Sequence, residues 1–173
     1  CLVRLLESLR IERTKAVIWA NFVGAIELIS KYLMGLGLTN KVIYGQTPSE
    51  HLTASEEESR ESIRDEFLDT ESGLDILIAN PAACAESISL HKTCHNAIYY
   101  DLSYNCAQYL QSLDRIHRVG GSETVVANYY FLQYANTIDQ DIKDNLDLKA
   151  ARMNAVIDAD CSIYSLDMFE EDE

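Results

Sequence analysis

Gln111-Ser-Leu-Asp114-Arg115-Ile-His117-Arg118-Val-Gly120 is the stretch on which the reading of this chain turns. The spacing predicts a helix that carries Arg115 and Arg118 one turn apart, so both guanidiniums leave one face, with Gln111 on that face as well. Planar, permanently charged groups presented as a pair suit a phosphate that gains charge in a transition state. A solvated basic turn on an amphipathic helix would use the same residues. The flanking sequence decides between the two.

Outward from that stretch, strand and helix patterns alternate. Ala16 to Ala20 is apolar between Lys15 and Asn21, as a buried strand would be. Val23 to Leu36 places Ile26, Ile29, Leu33 and Leu36 on one stripe, with Gly35 and Gly37 at its end. Lys41 to Tyr44, Leu74 to Ala79, Ala97 to Asp101 and Thr124 to Leu132 read as further strands. Thr53 to Leu68 reads as a surface helix with Ile63 and Phe67 on its buried edge. Asn105 to Arg118 follows, with Leu110, Leu113 and Ile116 inward, and Thr137 to Ile157 closes the chain. Short strands alternating with helices predict an α/β fold, a parallel sheet with helices on both faces. In such sheets ligands sit beyond the carboxyl ends of the strands, where the loops at Asn21, Gly45, Pro81 to Ser87 and Tyr104 begin.

These motifs, in this order, resemble the second RecA-like lobe of superfamily-two helicases, in particular the Swi/Snf-type DNA translocases. That family's last motif reads Gln-x-x-Asp-Arg-x-His-Arg-x-Gly, and residues 111–120 hold every fixed position. The family's strand ending in Tyr-Asp, followed by an aromatic-Asn pair, stands here as Ile98-Tyr99-Tyr100-Asp101 and Tyr104-Asn105. Ile76 to Leu90 resembles its strand and nucleic-acid-facing loop, Lys15 to Phe22 its opening strand, and Val42 to Gly45 its second. The resemblance spans about residues 15 to 135. It implies a RecA-like helicase C-terminal lobe over 15–135, preceded at 1–14 by an N-terminal helix or inter-lobe linker and followed at 136–173 by a long helix and acidic tail.

The resemblance also implies roles. Arg115 and Arg118 would be arginine fingers, worth ~10³–10⁵ in rate when placed beside a γ-phosphate. Gln111, Asp114 and Glu86 would contact the nucleotide, and His117 could relay its state to another lobe. Asn21, Phe22, Gly45, Ala83, Cys84, Ala85 and Ser87 would face nucleic acid. For Asp114 a surface carboxylate paired with an arginine explains the residue equally, and for Asn21 a helix N-cap does. The cofactor implied is ATP with Mg, and the partners are a first RecA-like lobe and duplex DNA, with no membrane. Cytoplasmic, nucleoid-associated and non-secreted placement goes with them.

Half of a nucleotide site is missing from the chain. No Gly-x-x-x-x-Gly-Lys-Ser/Thr cradle and no Asp-Glu-x-His-type magnesium motif occurs in it. The chain alone is therefore expected not to hydrolyse ATP. Departures from the family pattern fall on the DNA side: Cys84-Ala85 and Ser87 stand where relatives carry glycines, Gly121 follows the last motif, and about seven extra residues lie around His51 to Glu57. Those replacements are small but strained in any left-handed turn.

Composition sets the remaining bounds. The 173 residues suffice for one domain, and the hydrophobic share of 47% is ordinary for a globular chain. No apolar run approaches the about 20 residues that span a bilayer. The first residues, Cys1 to Arg10, show amphipathic spacing and no secretory signal, and a start other than methionine suggests a fragment. Five scattered cysteines fit a reducing compartment without disulfides. A net charge of −14 opposes tight nucleic-acid binding by this piece alone, and suits the alternative of a non-catalytic protein-interaction lobe. The rival metal reading, Cys84, His91, Cys94 and His95, matches neither zinc pair spacing.

Overall fold

The computed structural model describes residues 1–49, 58–84, 89–117 and 126–166. The stretch around His51 to Glu57 and the acidic tail 167–173 lie outside them. The elements are α1 (Leu2–Ile11), β1 (Lys15–Trp19), α2 (Val23–Gly35), β2 (Asn40–Ile43), α3 (Arg60–Leu68), β3 (Ile76–Ala79), β4 (Cys94–Tyr99), α4 (Cys106–Asp114), β5 (Asn128–Phe131) and α5 (Ile138–Leu166). The five strands form one sheet in the order β2-β3-β1-β4-β5, and every pair is parallel. This is the α/β sheet expected from the alternating pattern.

Alternation along β1 distributes the core to both faces. Val17 and Trp19 join one apolar layer with Ile63 and Phe67 of α3, Tyr109 of α4 and Leu146 of α5. Ala16 and Ile18 join the other with Leu6 and Leu9 of α1 and Ile26, Ile29 and Leu33 of α2. Because β1 is central and covered on both sides, it is buried at every position and apolar from Ala16 to Trp19. Lys15 opens it and is buried too, donating to the carbonyls of Asp69 (2.8 Å) and Leu74 (2.9 Å). Burial holds its ammonium below the ordinary lysine value, although Asp75 and Asp69 pull the other way.

Helix ends follow their local chemistry. Leu36 closes α2, and Gly37 at φ 74° lets the Leu38 N–H return to the Leu33 carbonyl (3.0 Å). Leu36 is consequently half exposed at 49% and leaves the predicted stripe at Leu33. Ser59 caps α3, accepting from the Ser62 N–H at 3.0 Å. Asn21 does not cap α2: the N-cap residue is Phe22, without a side-chain bond, because the Asn21 carboxamide is engaged elsewhere. No helix among the described residues is long and apolar enough to cross a membrane.

The largest departure concerns α4. It ends at Asp114, not Arg118, and buries Tyr109 and Ser112; of the residues expected inward, Leu113 packs partly buried against the core and Leu110 is half-buried. Ser112 tolerates burial because its hydroxyl donates to the Tyr109 carbonyl (2.7 Å) and accepts from the Tyr99 hydroxyl (2.7 Å). The expected burial of Ile116 holds, at 2% exposure, but in the turn beyond the helix. Two long-range donors close the helix end: the Tyr129 hydroxyl reaches the Leu113 carbonyl (2.9 Å) and the Leu90 N–H reaches that of Arg115 (2.9 Å).

Trp19, the only tryptophan, is fully buried, and its indole N–H has no partner among the described residues. Trp19→Ala should therefore cost about 3–5 kcal/mol through the cavity it leaves. Trp19→Phe should cost distinctly less, since the N–H it removes breaks no bond. Urea unfolding of the two variants checks the order; equal losses would show the N–H to be engaged.

Candidate functional site

The carboxyl ends of the strands finish on one row. Ile43, Ala79, Trp19, Tyr99 and Phe131 are neighbours in register across β2-β3-β1-β4-β5. Beyond it the loops begin with Tyr44, Asn80, Ala20 and Tyr100. Connections from β1 and β4 run to opposite edges of the sheet, so the chain diverges between these two strands, where open α/β sheets form their crevice.

Polar side chains lace this rim together. The Asp101 carboxylate accepts from the Asn21 backbone N–H (2.7 Å) and from its side-chain amide (2.8 Å), joining the ends of β1 and β4. The Asn80 side-chain amide donates to the Asn21 carbonyl (2.8 Å), joining β3 to β1. The Asn80 backbone N–H donates to the Ile43 carbonyl (2.8 Å), joining β2. Asn80 also turns the loop that follows β3, its side-chain oxygen accepting from Ala82 (2.9 Å) and its carbonyl from Cys84 (3.2 Å). Asn105 caps α4 on the same rim, accepting from the Gln108 N–H at 3.2 Å. A shallow hollow lies among Asn21, Pro81, Asn105 and Gln108. A cleft of about 620 Å³ opens at the amino ends of the strands, lined by Arg10, Arg13 and Lys15 and by Glu12, Glu71 and Asp75.

The sequence-predicted residues fall into three sets. Gln111, Asp114 and His117 are exposed, while Arg115 is half-buried in the turn that closes α4. Of the two arginines expected on one helical face, Arg115 is the C-cap residue of α4, with helical φ −70° and ψ −30°, and its carbonyl is held by the Leu90 N–H. Asn21, Phe22, Gly45 and Ala83 all lie in the loops of the rim, with Phe22 at 66% exposure. Cys84 shares that loop but directs its side chain into the core at 1% exposure, so only its backbone is available there. Burial pushes its thiol up to about 12, outweighing the pull of the Arg60 and Arg115 guanidiniums. Cys84 also has no positive φ, so the strain expected for this loop is absent at that position. Arg118, Ala85, Glu86 and Ser87 lie outside the described residues.

Cys1, Cys84, Cys94 and Cys106 are unpaired thiols. Among the described residues no three His, Cys, Asp or Glu side chains converge as a metal would require. The organising residues that sequence reasoning passed over are Asp101 and Asn80. Both were visible only as parts of strand motifs, and their partners lie 80 and 59 residues away.

A family model described as "Helicase conserved C-terminal domain" matches residues 1–120. The solved structure titled "Crystal structure of the C-terminal part of Fun30 ATPase domain" superposes with a TM-score of 0.70 at 24% identity. That match covers 84% of this chain but 43% of the other, so this chain spans less than half of the Fun30 chain's length. No curated protein sequence matches the chain.

Asp101→Ala should destabilise the protein by about 1–3 kcal/mol, because the half-buried Asn21 N–H loses its acceptor. Asp101→Asn keeps an acceptor oxygen and should cost less. Urea unfolding combined with hydrogen exchange at Asn21 tests this, and an unchanged Asn21 amide in Asp101→Ala would refute the rim assignment.

Proposed function

The chain belongs to the helicase conserved C-terminal domain family, and from that membership and its site we propose that it is the second motor lobe of an ATP-dependent DNA translocase. In this reading ATP and Mg are bound mainly on a first RecA-like lobe, and this chain completes the site on closure. The observation that carries the reading is the turn after α4. It places Arg115, between exposed Gln111 and exposed His117, against the loop that follows β3. A γ-phosphate gaining charge would use that set.

The division of labour follows from what each residue type can supply. Arg115 and Arg118 carry charge that no ordinary pH removes, so they stabilise the transferring phosphoryl group without a proton step. Gln111 registers the nucleotide, and Asp114 holds an arginine in place. On the other side of the rim, the loops carrying Asn21, Phe22, Gly45 and Ala83 meet the DNA backbone, largely through main-chain and amide groups. Such contacts orient without reading sequence, which suits a translocase that must step over any base. The net charge of −14 requires that most phosphate neutralisation come from the other lobe. Without the phosphate cradle, this chain by itself does not turn over.

The same acidic surface, together with the Cys84 side chain withdrawn into the core, favours the second reading, a protein-interaction lobe uncoupled from DNA. Hydrolysis separates the two. When the chain is joined to its first lobe, duplex DNA should stimulate ATP hydrolysis. Arg115→Ala and Arg118→Ala should each lower it by ~10³-fold or more with the fold retained. DNA-stimulated turnover that survives both substitutions would sink the motor reading.

A further inference from the structure

We propose that Arg60 is a positioning residue that clamps the loops after β2 and β3 into one rigid ledge, and that the ledge grips duplex DNA only while clamped. The inference rests on the motor reading above for its DNA partner, but not for the clamp itself.

Arg60 is the first residue of α3, and the helix is anchored from behind by buried Ile63 and Phe67. Its backbone N–H donates to the Pro48 carbonyl at 2.9 Å. Its guanidinium reaches three more carbonyls: Nε to Thr47 (2.7 Å), Nη2 to Gly45 (3.2 Å) and Nη1 to Ala83 (3.1 Å). Gly45 and Thr47 belong to the loop after β2, and Ala83 to the loop after β3. One side chain therefore closes the gap between two segments that the chain separates by 38 residues, from Gly45 to Ala83.

Each loop has bonds of its own. The first turns on one Thr47 N–H to Tyr44 carbonyl bond (2.9 Å), with the Thr47 hydroxyl capping the Tyr44 N–H (3.1 Å). The second turns on Asn80. The β2-β3 pairing and the Asn80 N–H to Ile43 carbonyl bond set the separation of the loops at their bases, but not that of Gly45 and Thr47 from Ala83 farther out. The fork of Arg60 does, because a planar guanidinium presents donors in fixed directions and three carbonyls must converge on them. A lysine ammonium at the same place could not reach both loops with that geometry. Gly45 and Ala83 are among the residues that the motor reading sets against DNA, so a loose ledge would be felt there first.

The decisive comparison uses Arg60→Lys and Arg60→Gln in this chain joined to its first lobe. Both should raise hydrogen exchange at the Thr47, Ala83 and Cys84 amides about tenfold, leaving Ile63 and the β1 amides protected. Both should also raise the concentration of random-sequence duplex DNA giving half-maximal ATPase stimulation by about tenfold or more, with DNA-free turnover and KM for ATP unchanged. Unchanged exchange at both loops would overturn the clamp, whatever the protein does with DNA. Arg60→Lys matching the unsubstituted protein would also overturn it, since charge rather than the fork would then suffice. Looser loops with an unchanged DNA requirement would overturn the ledge as the grip. If the unsubstituted protein shows no DNA stimulation, the motor reading fails with the DNA half of this proposal, and the exchange data still decide the clamp.

Discussion

A parallel sheet leaves a ragged polar edge where its strands end, and in this protein a line of hydrogen bonds from the Ile43 carbonyl through Asn80 and Asn21 to Asp101 resolves that edge. The constraint is severe because the strands are apolar to their last residue: Trp19, Ile43, Ala79 and Tyr99 are all buried. Their backbone groups need partners just as the chain emerges from the core. The backbone N–H groups of Tyr100, Asn80, Ala20 and Leu132 supply them. Just beyond, two carboxamides and one carboxylate tie the emerging chain together, and asparagine suits the task, since one side chain both donates and accepts. These side chains fix where the loops after β1, β3 and β4 depart.

The rest of the core follows from covering that sheet twice. With β1 central, its residues alternate between two apolar layers, and the helices divide accordingly, α1 and α2 against one and α3, α4 and α5 against the other. The aromatic corner near the rim shows how side chains from three elements share one space. Tyr99 stacks on Phe131 at 4.8 Å and meets Tyr109 edge-on at 5.7 Å. Burial raises the Tyr99 and Tyr109 hydroxyls above the ordinary tyrosine range. The Tyr99 hydroxyl meets that of Ser112 at 2.7 Å, which ties the rim end of β4 to α4.

This balance of local and distant forces explains what was legible in the sequence. All five strands were readable, because buried parallel strands are short continuous apolar runs bounded by polar residues. Strand ends drifted by a few residues, as at Lys15, Asn40 and Cys94, which belong to strands although their chemistry is polar or ambiguous. The end of α4 was not readable. Ile116 continues the apolar spacing, and what stops the helix is the Tyr129 hydroxyl and the Leu90 N–H, neither of them local. Asn21 likewise looked like a cap because its local context allows one, whereas a carboxylate 80 residues away takes its side chain. Motif spacing passed over Arg60, whose partners are carbonyls that no residue type advertises.

The hold on Arg115 bears on how the proposed finger is presented. A side chain at the end of a helix takes its direction from the last turn, and that turn frays unless something beyond the helix secures it. Here the Arg115 carbonyl is held by the Leu90 N–H and the Leu113 carbonyl by the Tyr129 hydroxyl, so the end of α4 is tied to the connection before β4 and to β5. Buried Ile116 anchors the chain just beyond. In the proposed motor the backbone that carries Arg115 is thereby set by the core of the sheet, and closure of the two lobes would deliver the guanidinium without first ordering its base.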